Sequence, residues 1–359
     1  MGKIKVALVG VGNCSSFLVQ SAEYYGERNE KEIPGIMHVD LGGYKIGDIE
    51  FVAAFDVDKR KVGKELNKAI FQEPNNAVHL ADVPKLGVTV EKGPVLDGIG
   101  DYLRKVVSID PSQKPVDVAD VLKSSKAQVV VNYLPVGSYD AARHYAQESL
   151  KAGCGFINAI PEFLASSDFA EKFAERKLPI LGDDIKGQLG ASILSRTLAR
   201  LFKDRGTALD RMYQLNFGGN TDFLNLLEES RLKYKRISKT ETVQSVLEEK
   251  RLADDDIKIG PSDYVPWLGT RKIASMRFEG RSFGDIPVYL DVKLDVDDKS
   301  VSAGIMVDAI RCCKLALDRG IGGALVSSSA YFFKVPPVQY PDYVAREMLE
   351  EFIEGKRER

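Results

Sequence analysis

The apolar run Lys5-Val6-Ala7-Leu8-Val9 leads directly into Gly10-Val11-Gly12-Asn13-Cys14-Ser15, and no other feature restricts the fold of this chain as much. A β-branched run, two glycines and then helical periodicity open a βαβ unit, in which a tight turn aims amide donors and a positive helix end at a pyrophosphate. Ser15 replaces the third glycine of the dinucleotide fingerprint. Asp56, the acid expected to close the second strand and hold a ribose hydroxyl, comes later than the usual ~20 residues, and an insertion over about residues 24 to 49 accounts for the delay. A carboxylate at Asp56 would repel a 2′-phosphate, which favours NAD over NADP.

The rhythm continues through the first half. KVALVG, EFVAAFD, AQVVVNYL, GFINAI and LPILG read as strands, and segments such as AARHYAQESLKAG and SSDFAEKFAERK between them read as amphipathic helices. This alternation predicts an α/β fold with a doubly wound parallel sheet. A second insertion is expected over about residues 70 to 115. Beyond residue 205 the pattern changes: RMYQLNFGG, KIASMRFEG and PVYLDVKLDV alternate as strands with one wet face, so a second, antiparallel or mixed sheet is expected. SAGIMVDAIRCCKLALDRGIGG then reads as one long, deeply packed helix ended by Gly320.

Composition narrows the function classes. Fifty basic residues against 52 acidic ones leave a formal charge of −2, so no long-range field draws the protein to nucleic acid or to an anionic membrane, and any phosphate must be met by local cations. The four cysteines include an adjacent pair, Cys312-Cys313, and no CxxC spacing, which points to reduced thiols in the cytoplasm. With three histidines and no HExxH or GxSxG, acid and base work falls to Lys and Asp.

Three further motifs stand at strand ends, where ligands gather in open α/β sheets: Tyr133-Leu134-Pro135-Val136-Gly137-Ser138, Asn158-Ala159-Ile160-Pro161, and Gly182-Asp183-Asp184-Ile185-Lys186-Gly187-Gln188. The last puts two acids, a lysine and an amide between buried-looking neighbours, so its polar groups must face a cleft or be paired. Later, Lys235 and Lys239 are four apart and share a face of any helix, after Asn216-Phe217-Gly218-Gly219-Asn220; a solvated basic face is the simpler reading of that fragment alone. Lys334 lies among aromatics and prolines.

Together, GVGNCSS, YLPVGS, NAIP, GDDIKGQ, NFGGN, the lysine pair, RFEGRSFGD, SAGIMVDAIR and KVPP resemble the myo-inositol-1-phosphate synthase family, in its short bacterial and archaeal form, over essentially the whole chain. The resemblance implies an isomerase of the intramolecular-lyase type that cyclises glucose 6-phosphate with NAD: oxidation at C5, enolisation, aldol closure and re-reduction, without net redox change. It implies a Rossmann-like domain over residues 1–204 and 315–359, an inserted α+β catalytic and oligomerisation domain over 205–314, and a homotetramer without nucleic-acid or membrane partners. It assigns catalysis to Lys235, Lys239, Lys334, Asp184 and Asn220, and cofactor contacts to Gly10, Gly12, Asn13, Cys14, Asp56, Tyr133, Pro135, Ser138, Asn158, Asp183 and Lys186. Phosphate contacts fall to Gln188, Lys239, Lys334 and Arg281, the last standing for a further family lysine sought in that region. Gly187 occupies a position where the family commonly has Ser. A divalent or monovalent cation is an open expectation, with its ligands unassigned. An ordinary NAD-dependent dehydrogenase and a silent nucleotide-binding regulator are the competing readings; the dehydrogenase needs only one acid/base group, whereas the cyclisation needs several cations.

Overall fold

The computed structural model describes residues 2–26, 28, 30–231, 233–247 and 251–359, and for residues 233–239, 261 and 262 the backbone course only. The described residues form eleven strands: β1 Ile4–Val9, β2 Ile49–Asp56, β3 Val90–Lys92, β4 Val129–Asn132, β5 Gly155–Asn158, β6 Pro179–Leu181, β7 Ala208–Gly218, β8 Ile257–Tyr264, β9 Arg271–Arg281, β10 Pro287–Asp297 and β11 Gly323–Ala324. Seven make one sheet in the order β11-β6-β5-β4-β1-β2-β3, with every neighbouring pair parallel. The chain winds outward from β1 to β3, returns to β4 and winds the other way, so a crevice opens past the carboxyl ends of β1 and β4. β4 and β5 are buried at every position, because helices cover both faces of the sheet.

One face packs on the helices Asn13–Gly26 and Asp298–Asp318, the other on Val118–Ser124, Tyr139–Ala152 and Asp168–Glu175. Helix ends follow local chemistry. Ser167 accepts a hydrogen bond from the Phe169 amide at the start of one helix, and Gly153, at φ 79°, ends another in the left-handed region. The long helix Asp298–Asp318 stops two residues before Gly320 and buries most of its circumference, including Met306, Ile310, Cys312 and Cys313. All four cysteines are free thiols. Among the described residues no helix is long and apolar enough to cross a membrane.

The second sheet, ordered β10-β9-β7-β8, is mixed: β7 runs parallel to β8 and antiparallel to β9. Met212, Met276 and Phe278 face a core shared with Ala199 and Phe202 of the helix Ala191–Asp204 and Val243 and Val246 of the helix Lys233–Leu247. The helix Ala191–Asp204 buries its apolar stripe on the second sheet, whereas Asp298–Asp318 packs on the first. The strand-type change at residue 205 marked the sheet, and an amphipathic helix does not reveal from sequence which sheet receives its stripe.

Sequence reading passed over β3, β8 and β11, which are edge strands. Edges are short and half-paired, and β8 carries Gly260-Pro261, a breaker signal tolerated only at an edge.

A histidine is among the residues that tie the first insertion to the rest of the fold. His38 Nδ1 lies 2.5 Å from Asp308 Oδ2, and its Nε2 is 3.1 Å from both Glu350 Oε1 and Arg346 Nη2. Burial opposes a charge on this ring, but the two carboxylates outweigh it and raise its pKa. A raised histidine contributes stability that is complete below the unfolded value of ~6.5 and is lost as pH rises through the folded value. Tm is therefore expected to fall by roughly 2 °C between pH 6 and 9 in calorimetry, and His38→Gln to remove that slope.

Candidate active site

The glycine turn after β1 is built for close approach. Gly10 has φ +88° and lies so near the Tyr133 carbonyl that a Cβ would come to 2.9 Å of it. Ser15 is fully buried, and its Oγ donates to the Gly10 carbonyl at 2.6 Å, so it secures the turn where the fingerprint has a third glycine. A Cβ on Gly12 would meet nothing within 4 Å; it would project into the cavity that Gly12 lines. At the end of β2, Asp56 accepts the Val11 amide through Oδ2 at 2.8 Å and the Val57 and Asp58 amides through Oδ1. The second insertion closes over this turn. Asn13 Oδ1 accepts the Asn76 and Ala77 amides, and buried Lys61 donates to the Val11 carbonyl and to Asn75 Oδ1. Pro74 and Asn75 thereby line the cavity, a role that their turn-former composition concealed.

The same cavity holds the lysines. Residues 183–186 pair with 332–335: the Asp183 amide donates to Val335 O, the Lys334 amide to Asp184 O, and the Lys186 amide to Phe332 O. This pairing brings Lys334 Nζ to 2.8 Å of Asp184 Oδ1, both largely buried. Asp184 takes φ +59°, a left-handed conformation that an aspartate tolerates better than most residues.

A second group forms where the long helix begins, beside the second sheet. Lys272, at the start of β9, lies 3.1 Å from Asp298 Oδ1; Lys299 Nζ lies 3.3 Å from Asp298 Oδ2 and 3.4 Å from Asp222 Oδ2. Asp297 caps the helix by accepting the Lys299 and Ser300 amides, so the helix N-terminus carries this cluster into the cavity. Burial pushes the Asp298 carboxyl up, yet Lys272 and Lys299 overcome it and hold it well below the usual range. Burial likewise works against Lys299, but Asp222 and Asp298 hold its ammonium well above the usual range. Cys14, beside Lys299, is pushed up by burial to about 11 and stays a thiol.

Lys272, Lys299, Asp298 and Asp222 were absent from the sequence reading. DVDDKS places acids and a lysine just before a long apolar helix, the one signal that could have marked Asp298 and Lys299. Arg281, expected at the substrate phosphate, lies away from the cavity. It stands at the opposite end of β9 from Lys272, about 30 Å away along an extended strand. Half-exposed, it forks onto Asp210 at 2.9 and 3.0 Å and reaches Asp285, so it fastens the sheet margin and has no access to the cavity.

The remaining residues divide. Gly10, Gly12, Asn13, Cys14, Asp56, Tyr133, Pro135, Asp184 and Lys334 line the cavity. Ser138, Asn158, Asp183, Lys186, Gln188 and Asn220 do not; they pack behind it. Asn158 Nδ2 donates to Asp183 Oδ1 at 2.7 Å, and Asp183, raised far above the carboxylate range by burial, also accepts the Ala165 amide. Lys186 turns to Asp342 and the Ala330 carbonyl, and Gln188 donates to the Gly35 carbonyl. Sequence placed these polar groups at the cavity mouth, but their hydrogen bonds satisfy them inside the wall. Asn220 caps the helix Thr221–Asn225 through Oδ1, and its buried Nδ2 has no partner among the described residues. A Cβ on Gly187 would sit 2.9 Å from Val301 Cγ2, which accounts for glycine where a Ser was expected. The helix Lys233–Leu247 carries Lys235 and Lys239, whose side chains lie outside the described residues. Among the described residues no three acidic, His or Cys groups are arranged to hold a metal.

The chain is similar in sequence and fold to known proteins. The family model for myo-inositol-1-phosphate synthase matches residues 190–299. The inositol-3-phosphate synthase of Mycolicibacterium smegmatis is 52% identical, covering 99% of both chains, and that of Corynebacterium glutamicum is 51% identical, covering 98% of both. The crystal structure of Ari2 covers 98% of each chain at TM-score 0.80 and 33% identity. Inositol-3-phosphate synthase from Caenorhabditis elegans, 14% identical, shares the fold at TM-score 0.75 over 98% of this chain and 85% of its own. With full-length relatives at this identity and a glycine turn facing a lysine-lined cavity, the chain belongs to the myo-inositol-1-phosphate synthase family.

Proposed function

We propose that the protein cyclises D-glucose 6-phosphate to 1L-myo-inositol 1-phosphate with NAD as a recycled hydride carrier. One observation carries this reading: the ammonium groups of Lys334, Lys272 and Lys299 line the same cavity as the glycine turn. The residues fit the dinucleotide, since Gly12 leaves open space where a side chain would intrude, and Asp56 stands at the end of β2 for a ribose hydroxyl. Bound there, NAD would take hydride from C5 and return it after ring closure. The chain's own part is electrostatic. Ammonium groups fixed by Asp184 and Asp298 are already oriented, so they stabilise negative charge on the C5 and C1 oxygens without reorganising. Lys239, one helical turn from Lys235, is assigned with Lys334 to the phosphate dianion.

The test supplies glucose 6-phosphate with catalytic NAD and follows phosphorus and proton NMR. Inositol phosphate should accumulate without NADH. Stoichiometric NADH would make this an ordinary dehydrogenase, and no turnover a nucleotide-binding regulator. Gly12→Val should weaken NAD binding at least about tenfold in calorimetry, with Tm unchanged, because its methyls enter the cavity rather than the core.

We also propose a homotetramer that uses the open face of the second sheet. Tyr213, Leu215 and Tyr289 are 38–59% exposed there, and the turns bordering it expose Trp267 and Phe283. Exposed aromatic and aliphatic side chains on one sheet face support its use as a contact between copies. Leu215→Glu combined with Tyr289→Glu should lower the mass seen by light scattering while leaving the fold intact.

A further inference from the structure

Arg196, on the helix Ala191–Asp204, is wholly excluded from solvent and lies outside the cavity lining. Its donors are divided between two elements. Nη1 donates to the Thr242 carbonyl at 2.7 Å and to Ser245 Oγ at 3.0 Å, both on the helix that carries Lys235 and Lys239. Nε donates to Asp342 Oδ2 at 2.9 Å and Nη2 to the Tyr340 carbonyl at 2.9 Å, both on the strap of residues 334–342, which runs from Lys334 to the first residue of the helix Asp342–Ile353. The strap relays the hold: Gln339 Oε1 is 3.4 Å from Nη1, and its Nε2 donates to the Lys334 carbonyl at 2.7 Å. Asp342 also receives Lys186 Nζ at 3.2 Å, from the segment that carries Asp184.

A guanidinium presents its donors in one rigid plane, and a buried one left unpaired is costly, so all of these acceptors are held at one spacing. Lysine could not reproduce this, since a single ammonium cannot span both elements. We propose that Arg196 is a positioning residue, a rigid spacer that fixes the distance between the helix bearing Lys235 and Lys239 and the strap bearing Lys334, and so sets the width of the grip on the sugar phosphate. This rests on the reading of those lysines as substrate-holding amines.

Arg196→Lys and, as a milder cut in the relay alone, Gln339→Ala test it. Displacing gripping groups by about 1 Å costs on the order of 10–100-fold. KM for glucose 6-phosphate should therefore rise about tenfold or more in both variants, with the Kd for NAD unchanged and Tm in Gln339→Ala within a degree or two of wild type. In Arg196→Gln, hydrogen exchange should rise together over residues 233–247 and 334–342. Unchanged KM in a folded Gln339→Ala protein, a parallel loss of NAD binding, or exchange rising in one element alone would overturn the proposal. Should wild type fail to cyclise glucose 6-phosphate, the functional reading fails, while the exchange measurement still decides whether Arg196 couples the two elements.

Discussion

Lys334→Ala is expected to lower kcat/KM for glucose 6-phosphate on the order of 10²–10³-fold while NAD binds as before. The ammonium is held 2.8 Å from Asp184 in a largely buried pair, so its position is set before substrate arrives. Removing such a preorganised cation takes stabilisation from developing negative charge and replaces it with a hole that water fills poorly. Lys334→Arg should recover little, because the planar fork is broader than an ammonium and Asp184 is fixed by backbone pairing with 332–335. Initial rates and calorimetric titration with NAD check both statements. If the alanine variant kept wild-type turnover, the site would have been built around the wrong amine.

Asp298→Ala should give the second large effect, on stability as well as rate. One carboxylate separates Lys272 from Lys299, and without it two ammonium groups face each other at the mouth of the long helix. The expected loss is about 2 kcal/mol in urea unfolding, less than the ~3–5 kcal/mol typical of a fully buried pair because part of Asp298 still meets water. The pH dependence has a definite sign. A depressed carboxyl contributes stability that is present above its unfolded value of ~3.9 and is lost as pH falls from there toward the folded value. The raised Lys299 contributes below ~10.4 and loses its contribution only above it. Between roughly pH 5 and 9 the wild-type difference from Asp298→Ala should therefore be flat, and it should shrink in acid. A difference that instead varied through neutrality would place another titrating group in this cluster.

Particular residues show how far the sequence could be read. Gly10 and Gly12 were legible because a positive φ and an open approach are demands that glycine alone meets cheaply, whatever surrounds it. The central strands were legible because burial on both faces leaves an uninterrupted β-branched run. Asp184 and Lys334 were named through family resemblance, and the register of 183–186 against 332–335 supplies the reason they meet. Arg281 and Lys272 show the converse: both are basic residues of one strand, and local sequence does not say which end faces the other lobe.

Local composition and periodicity thus determined the elements, the glycine turn and the two kinds of sheet, since each depends on interactions within a few residues. Tertiary structure alone decided which polar groups enter the cavity and which are satisfied in its wall. Asp183 and Asp184 are neighbours in sequence, yet one is consumed by Asn158 and Ala165 while the other faces Lys334. That choice depends on hydrogen-bond partners far away in sequence, and on a burial cost that exists only once the chain has closed around them.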